Sequence, residues 1–335
     1  VAEVSVLLTC AGQRVDIVRA FREALDDLGH DGEVIVSDTD ALSPSLFHAD
    51  RVVALPRVDD AGYGAAVAAT CRAHGVRAVL GLTDLDPVIL AEARPLIEEA
   101  GARVFLPEPA VALGCQDKWL CHLLLERSGL PSPPTWLPAE VDHGTLPYPV
   151  LIKPRMGFAG RHIHRCADPD ELAFFLRHSP AESVIQRSLE DGVEFSIDCL
   201  GDLSGRALGA VPRAMLQSKG GEQIKGETLD DPQLVALGAA TVEGLGLRGP
   251  CTVQCFRRDG EILGITDINT RFGGGFPLPR AAGARYPEMI IGMALGETPP
   301  PALGTHEAGV VMTRYLDQTI LRRGPGGLTP VPPGR

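Results

Sequence analysis

The chain has 335 residues, 44% of them hydrophobic, and a formal net charge of −12. That length is enough to bury a full core across two or three lobes, and the acidic balance disfavours nonspecific binding to nucleic acid. No apolar run approaches the roughly 18 residues of a membrane span, and the start lacks the basic, apolar and small-residue plan of a leader, so the sequence reads as a cytosolic protein without membrane contact.

Residues 1–112 alternate short apolar runs with amphipathic ones. Runs at 4–8, 34–36, 78–80 and 104–106 read as strands, and 15–28, 63–74 and 87–100 as helices. This βαβ rhythm predicts an α/β domain with a mostly parallel sheet, whose ligands would gather beyond the carboxyl ends of the strands, where loops 9–14 and 83–86 fall. The first loop is not GxGxxG, so no dinucleotide site is read. Gly12 suits a tight turn and Asp84 and Asp86 suit capping of the next helix; the alternative is a wall of a substrate pocket.

A second unit opens at residue 113. Gln116-Asp117-Lys118 starts a helix capped by Asp117, which runs through Arg127 and gives way to Pro131, Pro133 and Pro134. The strand Tyr148-Pro149-Val150-Leu151-Ile152-Lys153-Pro154 then enters a loop holding Arg155, Gly157, Gly160 and Arg161. Glycines let backbone amides approach an anion, and Lys153, Arg155 and Arg161 add charge, so the loop is a phosphate clamp or a plain hairpin turn. It is not GxxxxGK[ST].

Residues 184–198 read as a strand, a polar hinge at Arg187, Ser188 and Leu189, and a second strand whose Glu194, Ser196 and Asp198 share one face. An adenine could bond the hinge backbone while Glu194 accepts ribose hydroxyls; the alternative is the solvated face of a half-buried strand. Residues 251–275 read as a hairpin turning at Asp259-Gly260, with Gln254, Asp267 and Asn269 projecting oxygens to one face, a set suited to magnesium. Arg271 followed by Gly273, Gly274 and Gly275 suggests close backbone approach to a substrate.

Only four of the 31 basic residues are lysines: Lys118 and Lys153 fall in these segments, and Lys219 and Lys225 in a basic stretch over 213–226 that reads as part of the same nucleotide site. The eight cysteines never form CxxC, so neither a zinc site nor a disulfide framework is suggested, and Cys251 and Cys255 share a strand face as packed thiols. The nine histidines lack HExxH; His162 and His164 could approach a phosphate or serve the surface.

Taken jointly, these segments resemble the ATP-grasp superfamily, and are most similar to one ATP-grasp unit of the carbamoyl phosphate synthetase large subunit, over roughly residues 113–296. The resemblance implies a pre-ATP-grasp parallel-sheet domain followed by a two-lobed α+β ATP-grasp domain, with lobes at 113–185 and 186–323 and a glycine- and proline-rich tail at 324–335. It also implies ATP and Mg²⁺, with Mn²⁺ as an alternative. Carried over by position, Lys118, Lys153, Gly157, Gly160 and Arg161 would serve the phosphates, Gln186, Arg187, Ser188 and Leu189 the adenine, Glu194 the ribose, and Gln254, Asp267 and Asn269 the metals.

The implied reaction is ADP-forming ligation of a small carboxylic acid to an amine through an acyl phosphate. Lys153 and Arg271 would act on the transferring phosphoryl group, and a basic loop over 213–226 would close as a lid bringing Arg213, Lys219 or Lys225 to it; a disordered surface loop is the competing reading. Asp267 stands where the family usually has the longer glutamate, and Thr270 where it has proline. One ATP-grasp unit and no glutaminase segment mean that complete carbamoyl phosphate synthesis is not expected. An enzyme stopping at the activated acid and an ATP-binding regulatory pseudoenzyme are the other readings, and the resemblance allows a homodimer.

Overall fold

The computed structural model of the chain describes residues 3–157, 162–179, 182–220 and 222–331. The chain forms two units, one made of Val1–Leu106, Arg285–Pro299 and Arg314–Arg335, the other of Pro107–Ala284 and Pro300–Thr313.

The first unit begins with β1 (Ser5–Thr9), α1 (Val15–Leu28), β2 (Val34–Val36), β3 (Arg51–Val52), α2 (Tyr63–His74), β4 (Val76–Gly81), α3 (Pro87–Glu92), α4 (Arg94–Glu99) and β5 (Arg103–Val104). These strands form one five-stranded sheet, parallel throughout, in the order β3-β2-β1-β4-β5, as the alternation predicts. Every residue of β1 is buried, which is why it reads as an unbroken apolar run. In α1, Ile17, Val18, Phe21, Ala24 and Leu25 recur at helical spacing and are buried, and Gly29 ends the helix at φ 64°. The single helix expected over 87–100 is two, because Pro95 has no N–H to give and instead occupies the first turn of α4.

Asp86 precedes α3 but its side chain caps nothing, contrary to the sequence reading. The carboxylate is turned inward and fully buried, accepting from Thr9 Oγ1 at 2.6 Å and Tyr63 OH at 2.9 Å. A Cβ at Gly81 would stand 2.4 Å from Asp86 Oδ1, so the glycine ending β4 makes room for this acid.

The second unit continues with α5 (Pro109–Gln116), α6 (Lys118–Arg127), β6 (Thr135–Trp136), β7 (Val150–Pro154), β8 (His164–Cys166), α7 (Pro169–His178), β9 (Ser183–Arg187), β10 (Val193–Gly201), β11 (Ala207–Lys219), β12 (Glu222–Thr228), α8 (Pro232–Leu245), β13 (Gly249–Arg258), β14 (Glu261–Asn269) and α9 (Pro277–Ala281). The chain then adds α10 (Tyr286–Ala294) to the first unit, β15 (Val311–Thr313) to the second, and β16 (Leu321–Gly324) and β17 (Gly327–Pro330) to the first. These last two pair as a hairpin whose second strand falls in the segment read as a tail.

Two antiparallel sheets organise the second unit, a four-stranded one ordered β6-β9-β7-β8 and a six-stranded one ordered β14-β13-β10-β11-β12-β15. The first packs Val150, Ile152, Cys166 and Ile185 against Leu172 of α7. The second packs Ile197, Cys199, Cys251, Val253, Cys255 and Ile268 against Leu234, Leu237, Val242 and Leu245 of α8. The segment expected as a lid loop is strand for most of its length, β11 running on to Lys219 and pairing with β12. All eight cysteines are free, and seven are buried. Among the described residues no helix is long and apolar enough to cross a membrane.

Burial pushes the Asp86 carboxyl above its usual range, against the pull of hydrogen bonds from Thr9, Tyr63 and Cys10. A carboxyl held above its unfolded value binds its proton more tightly when folded, so its contribution falls away as pH rises from about 4. Asp86→Asn removes that ionisation at constant shape. Urea unfolding at about pH 4 and about pH 8 is expected to show the variant gaining stability relative to the parent as pH rises; a pH-independent difference would count against a buried proton.

Candidate functional site

In β7 the two-residue repeat sends Val150 and Ile152 to the core and leaves Leu151 and Lys153 on the opposite face. Lys153 is buried there, and its Nζ donates to Gln186 Oε1 at 2.7 Å. The other end of that amide is also used, Gln186 Nε2 donating to Thr135 Oγ1 at 3.0 Å. Burial lowers the Lys153 pKa to about 8, Lys118 adding to the fall while Asp267 and Glu194 oppose it. Lys153 therefore lies in the field of three residues that the sequence assigned to the same site.

Lys118 opens α6 and its Nζ donates to Gly157 O at 3.0 Å, tying this helix to the start of the glycine loop. Asp117 caps α6 through the N–H groups of Trp119 and Leu120 and also receives Arg155, whose Nη2 stands 2.6 Å from Oδ2. Arg155 is thus held by Asp117 and Glu182. Gly160 and Arg161 lie outside the described residues. In the hinge, Arg187 N donates to Pro134 O and Ser188 N to Pro149 O, while Leu189 N–H has no backbone acceptor among the described residues. His164 stacks on Phe175 with ring centroids 4.2 Å apart.

The large sheet gives the second polar surface. Ser196 stands opposite Gln254 on one side and Arg213 on the other, Gln254 opposite Asp267, Asp198 opposite Thr252, and Thr252 opposite Asn269. These residues, with Glu194, occupy the face away from α8. Gln254 Nε2 donates to Glu194 Oε1 at 2.8 Å. Burial raises the Glu194 pKa and the Asp267 carboxylate adds to the rise, with Lys153, Arg213 and the Gln254 hydrogen bond pulling it down.

Gln254, Asp267 and Asn269 come together as expected. Asn269 Nδ2 donates to Asp267 Oδ2 at 3.4 Å, and Arg271 Nη2 donates to Asn269 Oδ1 at 3.1 Å. Among the described residues no group of three or more His, Cys, Asp or Glu could hold a metal. One carboxylate with two amide oxygens nonetheless fits a hard divalent ion that takes its remaining oxygens from phosphate and water. The mutual repulsion of Glu194 and Asp267 is what such a cation would relieve.

Arg213 is not poised on a mobile loop. It is buried in β11, with Nε 2.6 Å from Asp198 Oδ2 and Nη1 bonded to Gln223 Oε1, and Thr252 Oγ1 donates to Asp198 Oδ1 at 2.9 Å. The run of three glycines packs against this network. A Cβ at Gly273 would fall 2.4 Å from Thr252 Oγ1 and one at Gly275 2.5 Å from Arg213 Cζ, whereas Gly274 has nothing within 4 Å. Two of the three glycines therefore answer to an internal ion pair. Lys225 pairs with Gln217 on the sheet face of Ala214 and Glu227, opposite to that of Arg213, and is exposed like Lys219. The partners of Arg213 were missed, although Asp198 and Thr252 continue the alternation that selects Glu194 and Gln254.

In the first unit, a cleft lined by residues such as Glu3, Asp31, Glu33, Arg51 and His74 lies at the amino ends of the strands, and its Arg51 is paired with Glu33. Its acids and spent arginine offer nothing for a polyphosphate. Arg285 also belongs to this unit, near Asp27 and Glu288.

Residues 6–105 match the family model of the PylC-like N-terminal domain, and residues 180–317 that of an ATP-grasp in the biosynthetic pathway with Ter operon. The chain is 25% identical over 274 residues to the carbamoyl phosphate synthase large chain of Micrococcus luteus, covering 76% of this chain and 24% of that one. It is 35% identical over 97 residues to the D-alanine–D-alanine ligase of Halorhodospira halophila, covering 27% and 31%. The chain spans about a quarter of the length of the synthase large chains it matches. Among solved structures it is similar in fold to the biotin carboxylase domain of the Hydrogenobacter thermophilus 2-oxoglutarate carboxylase, in complex with MgADP and bicarbonate (TM-score 0.72, 18% identity, 92% of this chain and 73% of that one). The L-amino acid ligase of Bacillus licheniformis is a second neighbour (TM-score 0.67, 19% identity, 87% and 74%).

Two outcomes are expected from this geometry. Gly275→Ala forces a methyl onto Arg213 and should cost about 1–3 kcal/mol in urea unfolding, whereas Gly274→Ala should stay within about 0.5 kcal/mol; equal effects would refute the packing account. If the charge on Lys153 attracts an anion, affinity for a nucleoside triphosphate should fall as pH rises through about 8. Lys153→Arg should remove that fall, as titration calorimetry across the range would show.

Proposed function

Since this chain belongs to the ATP-grasp superfamily and carries a PylC-like N-terminal domain, we propose that it is an ATP- and Mg²⁺-dependent ligase joining a small carboxylic acid to an amine, with release of ADP and phosphate. The observation that carries this reading is the one polar sheet face on which Glu194, Gln254, Asp267 and Asn269, the residues expected at the ribose and the metal, stand together, with the buried Lys153 in their field.

In the proposed chemistry a carboxylate oxygen of the acid attacks the γ-phosphorus and ADP departs. The amine then attacks the carbonyl carbon of the acyl phosphate, loses a proton, and phosphate leaves with the C–O bond electrons. Such transfer needs positioning and charge neutralisation more than covalent help. Lys153 and Lys118 supply ammonium groups to the polyphosphate. The hinge presents Leu189 N–H to the adenine edge, and Glu194 accepts from the ribose hydroxyls. Arg271, already bonded to Asn269, places a guanidinium beside the metal ligands to take up charge on the moving phosphoryl group. Gln254, Asp267 and Asn269 would hold Mg²⁺, which when bound neutralises phosphate oxygens. Arg213, paired with Asp198, holds the glycine turn that follows Arg271.

Synthesis from ATP, Mg²⁺ and pooled amino acids and other small carboxylic acids tests this, with ADP and phosphate measured alongside mass spectrometry. The expected result is ADP and phosphate in equal amounts with a product lighter by one water than its parents, both lost in Lys153→Ala. Release of AMP and pyrophosphate would overturn the acyl-phosphate route. Tight ATP binding without turnover on any pool would favour a nucleotide-sensing role, a reading encouraged by the single carboxylate among the expected metal ligands.

A further inference from the structure

We propose that Gln186 and Thr135 are positioning residues that aim Lys153 at the polyphosphate of a bound nucleoside triphosphate, and that Gln186 takes no part in reading the base. This rests on the nucleotide reading above, and it reassigns a residue that the resemblance gives to adenine.

Three buried side chains stand in series. Lys153 Nζ donates to Gln186 Oε1 at 2.7 Å, Gln186 Nε2 donates to Thr135 Oγ1 at 3.0 Å, and Thr135 Oγ1 donates to Pro133 O at 2.9 Å. The series has a direction. A threonine hydroxyl has one proton, and Thr135 gives it to a carbonyl, so toward Gln186 it can only accept. That requirement turns the NH₂ of the amide toward Thr135 and its oxygen toward the ammonium. The reversed amide would set NH₂ against –NH₃⁺, donor against donor, and leave the hydroxyl facing an acceptor it has no proton for.

The backbone fixes both ends of the series. Thr135 and Gln186 are directly opposite in the β6–β9 ladder, and the carbonyl that ends the series belongs to a Pro133-Pro134 pair with restricted φ. Lysine brings a flexible four-carbon stem, and a neutral amide can hold it without cancelling its charge. One of its three N–H bonds goes to Gln186, leaving two for phosphate oxygens. Both ends of the Gln186 amide already have a partner inside the protein and the residue is buried, so its one remaining N–H and one remaining lone pair are held in an orientation set by Lys153 and Thr135 rather than by a base.

The test is calorimetric titration with AMP-PNP and, separately, with adenosine, both in EDTA so that metal plays no part. Thr135→Val keeps the shape and removes the hydroxyl, Thr135→Ser keeps the hydroxyl, and Gln186→Leu removes the amide. Thr135→Val and Gln186→Leu are expected to weaken AMP-PNP about tenfold or more, a hydrogen bond to a charged group being at stake, and to leave adenosine within about twofold. Thr135→Ser should bind both ligands as the parent does. Equal losses for AMP-PNP and adenosine in Gln186→Leu would return this residue to base recognition and overturn the inference, as would parental AMP-PNP binding by a folded Thr135→Val. Should Thr135→Val not fold, Gln186→Leu carries the same comparison. A parent protein that bound neither ligand would bring down the nucleotide reading and this inference together; a parent that bound both while the variants kept their AMP-PNP affinity would bring down the inference alone.

Discussion

The pleat of the β-strand is the constraint from which the candidate site follows. Successive side chains must point to opposite faces. In β10, β13 and β14 one set, including Ile197, Val253 and Ile268, is drawn into a dry layer beneath α8, so the intervening set of Glu194, Ser196, Asp198, Thr252, Gln254, Asp267 and Asn269 must share the other side. The same rule in β7 sends Ile152 inward and Lys153 outward. Hydrophobic burial, which has no directional chemistry of its own, thereby fixes the positions of groups that do.

Charges held at that surface are costly unless they have partners, since removing one partner of a buried pair typically costs about 3–5 kcal/mol. Two solutions occur side by side. Arg213 meets an opposite charge, Asp198, and is confined as a structural ion pair under the glycine turn. Lys153 and Glu194 instead meet neutral amides, Gln186 and Gln254. An ion pair satisfies a charge and largely cancels its field; an amide satisfies one hydrogen bond and leaves the field intact. The groups left with an uncancelled field are the two that would have to meet phosphate and ribose.

Much of this was legible in the sequence because it rests on local periodicity. The parallel first sheet follows from its apolar runs, the turn at Asp259-Gly260 has both residues at positive φ, and the shared face of Gln254, Asp267 and Asn269 follows from period two. What sequence did not disclose depends on contacts between distant segments. Asp86 has the spacing of a helix cap, but Thr9 and Tyr63 lie 77 and 23 residues away and turn it inward. Gly273 and Gly275 look like a ligand-approach motif until Thr252 and Arg213 are seen beneath them. The basic stretch after Arg213 has the composition of a loop, yet pairing with a neighbouring strand overrides the weak propensity of its glycines.

The chain's division has a consequence for how it is made. The first unit is completed by Arg285–Pro299 and Arg314–Arg335, which supply α10 against α1 and β4 and tie Thr319 to His48 across 271 residues. A ribosome delivers those segments only after every strand from β6 to β14 has emerged. The sheet that is synthesised first must wait with part of its apolar surface uncovered while the later unit already has nearly all of its chain, and long-range closure of this kind is slow. Of the two units, the one whose strands come earlier in the chain is the later to be finished.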